Sequence, residues 1–192
     1  TLVTSNTSGI PIHLMAEDRS EDFKAHFCGS HFFFLLRYLR LLEIIPTPQT
    51  KPEVVDFLMH YGDKFLGKTT VLCKDTAAFI ANRVGVYSMM ALLHLVDKMD
   101  LTVEEVDKFT GPALGRPKSA TFRTSDIVGL DTMINVAGGL YANLPDDKAH
   151  ELFTLPDYVK KMQQNKWFGD KTQQGFYKKV RGENGKSEIL AL

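Results

Sequence analysis

Two short apolar runs separated by a basic residue constrain the fold more than any other part of this sequence. The runs, at about 26–34 and 38–45, are rich in aromatic and aliphatic residues and flank Arg37. This pattern predicts two neighbouring strands joined by a tight connection. If the strands pair antiparallel about position 37, residues whose numbers sum to 74 face each other, which places His31 opposite Glu43. A histidine held by a carboxylate is suited to act as a general base, whereas the alternative is a strand-end histidine beside a surface carboxylate.

The charge and cysteine content exclude several function classes. Lys and Arg together number 23, as do Asp and Glu, so no overall field attracts nucleic acid or an anionic membrane. Cys28 and Cys73 lack metal-ligand spacing, and the histidines other than His31 also show none, so we expect buried free thiols in a reducing compartment and no metal site. No apolar run approaches the roughly 18 residues of a membrane-spanning helix.

The first 75 residues have a mixed α/β pattern. A short β-type run at 2–5 ends in a hydroxyl-rich turn, and Ser8 or Thr7 is placed to cap a helix over about 10–17. Pro52 suits the first turn of a helix over about 52–66. The predicted inner face of that helix comprises Val55, Leu58, Met59, Phe65 and Leu66, and a strand at Thr69–Cys73 follows.

After residue 75 the pattern becomes entirely helical. Residues 77–98 are apolar on nearly every side, which predicts a buried helix, and Thr102 with Glu105 forms a capping box that opens a helix to about 110. A further helix is predicted over 124–143, with shorter ones near 147–153 and 156–165 and a tail of one extended segment, a Gly-rich turn and a loose end. The long helix starts near Asp126, and its predicted inner face comprises Leu130, Met133, Ile134, Ala137, Leu140 and Tyr141. We therefore predict two domains, 1–75 and 76–192.

Six ordered motifs resemble the 3-hydroxyacyl-CoA dehydrogenases, the NAD-dependent enzymes of fatty-acid β-oxidation. They are SNTSG, GSHFF, LLE, KDTAAFIANR, VGLD and KTQQGFY, and they run through nearly the whole chain. The stretch GRPKSATFR is similar to the long, multifunctional members of that family. The resemblance implies a Rossmann-type NAD-binding domain followed by a helical domain that supplies dimer contacts and one wall of the cleft.

The same resemblance implies roles for particular residues. His31 stands in the position of the family's catalytic histidine, and Glu43 in that of the carboxylate that orients it. Ser8 matches the serine that hydrogen-bonds the substrate oxygen, although a helix N-cap is the alternative reading. Asn82 matches the residue that holds the substrate carbonyl, with a core amide satisfied by its own neighbours as the alternative.

Two further residues are implied as neighbours of the cofactor. Asn6 lies in the same turn as Ser8, and Lys171 belongs to KTQQGFY, where a solvated lysine is the alternative. The phosphates of the CoA tail would suit a local basic patch of Arg37, Arg40 and Lys68, against the alternative of ordinary charged strand ends.

The dinucleotide fold implied by the resemblance is truncated in this sequence. There is no G-x-G-x-x-G after a strand, and Gly138-Gly139 lies inside a helical pattern. The start, TLVTSNTSG, has no signal-peptide character and suggests a strand already in progress. We therefore expect a fragment that contains the last strands of the Rossmann-type domain and that binds NAD poorly when alone.

The sequence departs from the family pattern beside the implied site. Phe34 and Leu35 follow His31-Phe32-Phe33 where the family has Asn-Pro, and Ala77-Ala78 stands where it has Pro-Gly. Loss of an amide hydrogen bond in a closed site costs about 1–3 kcal/mol, or about ten- to a hundredfold in rate. The departures are consistent with a non-catalytic copy, with altered site residues, or with a sequence misread in this stretch.

We therefore carry two functional hypotheses forward. The first is a fragment of an NAD-dependent 3-hydroxyacyl-CoA dehydrogenase that acts on an acyl-CoA substrate and dimerises through the helical domain. The second is a non-catalytic helical dimerisation or acyl-CoA-binding module with a vestigial site. The expected location is the cytoplasm of a bacterium or archaeon, in preference to the mitochondrial matrix.

Overall fold

A computed structural model describes residues 1–8, 10–33, 37–181 and 187–191 of the chain. Phe34 and Leu35, where the sequence departs from the family motif, lie outside the described residues. The described chain divides into two compact units, Thr1–Val84 and Gly85–Leu192. The first unit contains a β-sheet with helices and the second is mainly helical, so the predicted change from α/β to helical structure is confirmed.

Four strands in the order β1-β2-β3-β4 form the sheet of the first unit. They are β1 (Val3–Ser5), β2 (Phe27–Phe32), β3 (Leu41–Pro46) and β4 (Thr69–Leu72). β1 is parallel to β2, β2 is antiparallel to β3, and β3 is parallel to β4. Every described β2–β3 partner pair sums to 74, from Cys28–Pro46 to Phe32–Leu42, so the predicted register is confirmed. Of the described residues between these two strands, 33 and 37–40 lie outside both, so the connection extends beyond the tight turn predicted at Arg37.

Two short helices precede β2, and a distant aspartate caps the first of them. These helices are α1 (Ile12–Ala16) and α2 (Glu21–Ala25). The prediction that Ser8 or Thr7 caps α1 is wrong, because Pro11 is its N-cap residue and makes no side-chain bond. Asp75 instead accepts the N–H groups of Ile12 and His13, each at 2.8 Å.

Helix α3 (Pro52–Lys64) follows β3 and begins with the proline that was predicted to open it. Val55, Leu58 and Met59 pack against the core as expected. Phe65 and Leu66 do not, because the helix ends at Lys64 and leaves these two side chains 69% and 42% exposed.

The next helix, α4 (Ala81–Met99), is far less buried than its composition predicted. Only Met90 and Leu93 of its described residues are fully buried. Tyr87, Leu95 and Met99 are 46–60% exposed. An all-apolar surface therefore does not by itself mean burial within the chain.

Helix α5 (Val103–Thr110) opens with the predicted capping box. The Thr102 hydroxyl accepts the Glu105 N–H at 3.3 Å, and the Glu105 carboxylate accepts the Thr102 N–H at 2.9 Å. A 3-10 helix at Pro112–Leu114 follows it.

The helix predicted over 124–143 is in fact two helices, α6 (Phe122–Val128) and α7 (Leu130–Asn143). Gly129 separates them with φ 104° and ψ 118°, a conformation that no helix contains. The predicted inner face of α7 is buried as expected, except that Tyr141 is 40% exposed.

The remaining elements complete the second unit. A 3-10 helix at His150–Phe153 leads to α8 (Asp157–Gln164), and another lies at Asp170–Thr172. The tail forms an antiparallel pair, β5 (Tyr177–Arg181) with β6 (Ser187–Ala191). The loose end that we predicted is therefore a paired strand.

Candidate active site

The β2–β3 pairing brings His31 and Glu43 into direct contact. His31 Nδ1 lies 2.7 Å from Glu43 Oε2. Both residues are buried, with 5% of His31 and none of Glu43 exposed. The contact that the sequence pattern predicted is thus confirmed, and the alternative of a surface carboxylate is wrong.

The second oxygen of Glu43 is held by the backbone at the start of α4. Oε1 accepts the N–H of Ile80 at 3.1 Å and that of Ala81 at 2.8 Å. Burial alone would raise the pKa of Glu43, but the bonds from His31, Ala81 and Ile80 outweigh burial and hold the pKa below its ordinary value. Glu43 is therefore an anion at neutral pH.

An ionised Glu43 decides which nitrogen of His31 carries the proton. A carboxylate accepts hydrogen bonds and cannot donate them, so Nδ1 must be the protonated nitrogen of the neutral ring. The lone pair then lies on Nε2, on the far side of the ring from Glu43. This arrangement suits removal of a proton from a hydroxyl group, with Glu43 stabilising the imidazolium that results.

Two aromatic rings flank the imidazole. The ring of Phe33 lies 4.5 Å from that of His31 between centroids, and the ring of Phe79 lies at 5.5 Å. Both meet His31 at 61°, an edge-to-face geometry. The imidazole is thus in contact with two aromatic rings and, at one nitrogen, with a carboxylate.

Asn6 and Ser8 lie in the turn after β1, the strand next to β2. Asn6 Oδ1 accepts the N–H of Phe32 at 2.8 Å, which ties this turn to the strand end beside His31. Ser8 is half-buried. The substrate role of Ser8 and the cofactor role of Asn6 stay predictions.

Asn82 is the second residue of α4 and directly follows Ala81, which donates to Glu43. It is half-buried and belongs to the same unit as His31 and Glu43. The start of α4 therefore places Asn82 next in sequence to Ala81, whose N–H group is bound by the Glu43 carboxylate. Its proposed bond to the substrate carbonyl stays a prediction.

Lys171 lies in the second unit, where its ammonium pairs with Asp131 at 2.5 Å. The hydrogen bond from Lys171 outweighs the opposing effect of burial and lowers the pKa of Asp131. Lys171 is exposed as well as paired, so the alternative of a solvated lysine and the contact with the cofactor both stay predictions.

Sequence reasoning missed Cys73 and Phe79 as neighbours of the histidine–carboxylate pair. Cys73 follows β4 and is buried, and burial together with the nearby Glu43 raises its pKa to about 12. The β3–β4 register could have located it, because Glu43 pairs with Val71 and side chains two residues apart share a face. Such a thiol is inert at neutral pH.

Within the described ranges, no group of three or more His, Cys, Asp or Glu residues is arranged to hold a metal ion. Across those same residues, no helix is both long and apolar enough to cross a membrane. Cys28 and Cys73 are both buried free thiols, as predicted.

Comparison with known families agrees with this geometry. Residues 79–179 match the model of the 3-hydroxyacyl-CoA dehydrogenase C-terminal domain, and residues 1–76 match that of the NAD binding domain of the same family. The chain belongs to the 3-hydroxyacyl-CoA dehydrogenase family. The resemblance drawn from the motifs and the fold class of a Rossmann-type domain followed by a helical domain are thereby confirmed.

Individual members of the 3-hydroxyacyl-CoA dehydrogenase family are similar over nearly the whole chain. A probable 3-hydroxyacyl-CoA dehydrogenase of Bacillus subtilis is 51% identical over 93% of the chain, which covers 22% of that protein. One of Deinococcus radiodurans is 47% identical over 96% of the chain, which covers 53% of it. The crystal structure of M. tuberculosis FadB2 superposes with a TM-score of 0.82 at 28% identity, over 93% of this chain and 60% of that one. The chain thus spans about half or less of the length of these curated relatives.

Proposed function

We propose that the chain is part of an NAD-dependent 3-hydroxyacyl-CoA dehydrogenase that oxidises 3-hydroxyacyl-CoA to 3-oxoacyl-CoA in fatty-acid β-oxidation. The observation that carries the proposal is the buried 2.7 Å contact between His31 and a Glu43 whose other oxygen is bound at the start of α4. A buried imidazole whose Nδ1 is bound to a carboxylate presents Nε2 as the nitrogen that can remove a proton from a secondary alcohol.

The chain's own residues handle the proton side of the reaction. His31 Nε2 accepts the proton of the 3-hydroxyl group, and the O–H bonding electrons become the second bond of the new carbonyl. The hydrogen on carbon 3 leaves with its electron pair, and the chemistry that NAD supplies when bound is acceptance of that hydride. Glu43 stays ionised throughout and stabilises the imidazolium until His31 releases the proton.

The residues present account for only part of an NAD site. The sequence has no G-x-G-x-x-G, so we assign no pyrophosphate contact to this chain. That absence, together with relatives about twice as long or longer, supports the proposal that the chain is one part of the enzyme. Asn6 and Lys171 remain the proposed cofactor neighbours.

Substrate placement is proposed for Ser8, at the substrate oxygen, and for Asn82, at the thioester carbonyl. Arg37 and Arg40 are exposed, and Lys68 donates to the Leu39 carbonyl at 2.8 Å, which keeps its ammonium near this connection. We propose this basic group as the contact for the CoA phosphates.

We also propose a homodimer formed through the helical unit. The supporting observation is the exposure of large apolar side chains there: Tyr87, Leu95, Met99 and Phe109 are 46–63% exposed. Sedimentation of the chain should give a dimer, and a monomer at all concentrations would contradict this part of the proposal. The bacterial relatives support the cytoplasm over the mitochondrial matrix as its location.

The activity is tested by replacing the matching half of the D. radiodurans relative with this chain and following NADH formation from a 3-hydroxyacyl-CoA. His31→Gln should abolish the signal, because it removes the base. His60→Gln changes an exposed histidine on α3 and serves as the matched control. Equal rates for the two variants would contradict the proposal.

The second candidate is a non-catalytic dimerisation or acyl-CoA-binding module. The presence of Phe34 and Leu35 in place of the family's Asn-Pro favours it. A hybrid that forms no NADH until Phe34→Asn is introduced, yet still binds acyl-CoA, would support this candidate over an active enzyme.

A further inference from the structure

Two consecutive residues before α4 adopt the left-handed backbone conformation, and neither is a glycine. Ala78 has φ 60° and Phe79 has φ 50°. This region is unfavourable for residues with a Cβ and is rare for bulky aromatic ones. Both residues are buried, at 8% and 4% exposure. Strain of this kind persists where the surrounding structure requires it and is common at functional sites.

The backbone of this turn directs two donors onto Glu43. Phe79 N–H bonds back to the Thr76 carbonyl at 3.1 Å, which closes the turn. The next two N–H groups, those of Ile80 and Ala81, then both point at Glu43 Oε1. The left-handed residues therefore immediately precede the two donors that anchor the carboxylate.

The side chain of Phe79 contacts the other member of the pair. Its ring meets the His31 imidazole edge-to-face at 5.5 Å between centroids, and the ring of Phe33 meets the same imidazole at 4.5 Å. It also belongs to a buried core cluster, whose members are Ile12, Ala16, Phe27, Ile45, Cys73 and Phe79. One residue thus links the core, the ring of the histidine and the backbone that holds the glutamate.

We propose that Phe79 is a positioning residue for the His31–Glu43 pair. Its ring fixes the plane of the imidazole so that Nδ1 stays on Glu43, and its left-handed backbone aims the donors of the next two residues at the same carboxylate. A merely space-filling role would be met by any apolar side chain and would not need this strained conformation. The role of the pair as a base rests on the proposed function, whereas its positioning by Phe79 does not.

The test is nitrogen-15 NMR of the histidine side chains in the 192-residue chain, which reports which ring nitrogen of His31 is protonated. Phe79→Leu should lower the ratio of the Nδ1–H to the Nε2–H tautomer severalfold, because the ring can then turn away from Glu43. Phe23→Leu is the matched control, since Phe23 packs on the same cluster and stacks on Phe27 at 5.0 Å. That control should leave the His31 tautomer ratio unchanged.

A wild-type tautomer ratio in folded Phe79→Leu would overturn the proposal, as would an equal loss in Phe23→Leu. If Phe79→Leu does not fold, Phe79→Met, whose unbranched flexible side chain adapts to irregular core space, is judged by the same criterion. Phe79→Tyr keeps the ring and should keep the ratio. Failure of the proposed function would appear separately, as absent NADH formation in a hybrid whose His31 signals are unchanged.

Discussion

Glu43 in the first unit and Asp107 and Asp126 in the second all accept backbone N–H groups, but they differ in their other partners. Glu43 and Asp126 are buried, and Asp107 is half-buried. Glu43 accepts hydrogen bonds from two backbone N–H groups and from the imidazole Nδ1–H of His31. Asp107 accepts the N–H groups of Thr121, Phe122 and Arg123 and the hydroxyl of Tyr177. Asp126 accepts the N–H groups of Phe176 and Tyr177.

The difference separates two structural carboxylates from Glu43, for which we propose a catalytic role. Asp107, on α5, accepts the N–H groups at the first turn of α6, and Asp126 links α6 to β5. The donors to both carboxylates are backbone N–H groups and a tyrosine hydroxyl, none of which titrates near neutral pH. Burial raises the pKa of Asp126 despite its two backbone donors, whereas the pKa of Glu43 is lowered. A buried carboxylate alone therefore does not mark a site. Asp75 also accepts two backbone N–H groups and contacts the imidazole of His13 at 2.6 Å, but that imidazole is exposed, whereas the partner of Glu43 is buried.

The largest expected effect is on catalysis. Glu43→Gln in the hybrid enzyme should reduce the rate of NADH formation by about 10²- to 10⁴-fold, because the amide cannot stabilise the imidazolium. Asp126→Asn should leave the rate per folded molecule within a few-fold of the parent. Initial rates at saturating substrate measure both. Equal losses in the two variants would remove the distinction between the carboxylates.

The next effect is on stability. Asp107→Ala should lower the free energy of unfolding by about 3 kcal/mol, because it leaves several buried donors without an acceptor. Denaturant titration of the chain measures this. Asp157→Ala, at an exposed aspartate that pairs only with Lys160 among the described ion pairs, should cause a much smaller change. A small effect at Asp107 would mean that solvent replaces the carboxylate.

The pH dependence of stability should have opposite signs at Glu43 and Asp126. The pKa of Glu43 is lowered from 4.5, so its contribution is present above that value and is lost as the pH falls through the folded-state pKa. The pKa of Asp126 is raised from 3.8, so its contribution is present below that value and is lost as the pH rises through the folded-state pKa.

Unfolding free energies of the wild type, Glu43→Gln and Asp126→Asn, measured across the acid range, test these signs. The stability advantage of the wild type over Glu43→Gln should shrink as the pH falls, and that over Asp126→Asn should shrink as the pH rises. If the stability difference from the wild type changed with pH in the same direction for both variants, the opposite pKa shifts of Glu43 and Asp126 would be contradicted.

The smallest effects concern left-handed alanines, one in each unit. Ala78 has φ 60° and Ala120 has φ 48°. Replacing either alanine by glycine relieves about 1–2 kcal/mol of backbone strain. The substitution also removes a buried methyl group and makes the unfolded chain more flexible, and both changes lower stability. Because these effects oppose each other, the free energy of unfolding should change by less than about 0.5 kcal/mol. Ala91→Gly, inside α4, has no strain to relieve and should cost about 1 kcal/mol. Thermal unfolding compares the three variants, and equal costs would show that the left-handed positions are not strained.

The features that the sequence predicted well depend on local pattern. The β2–β3 register followed from pairing the two apolar runs antiparallel about position 37, and every described partner pair agrees with it. The capping box at Thr102 and Glu105 needs only four consecutive residues. The contact of His31 with Glu43 followed directly from that register.

The features that were missed depend on distant contacts or on backbone conformation. Asp75 caps α1 from more than sixty residues away, and no local pattern predicts that. The break between α6 and α7 depends on the φ of 104° at Gly129. A single glycine within an apolar helical pattern does not predict that conformation. The anchoring of Glu43 by Ile80 and Ala81 likewise requires the left-handed turn before α4.

The central claim is that an ionised Glu43 holds the imidazole of His31 with its proton on Nδ1. The most direct measurement is the nitrogen-15 spectrum of the His31 ring in the unmodified chain at neutral pH. We predict a protonated, hydrogen-bonded Nδ1 and an unprotonated Nε2. A ring that carries its proton on Nε2, or that exchanges freely between the two forms, would contradict the account.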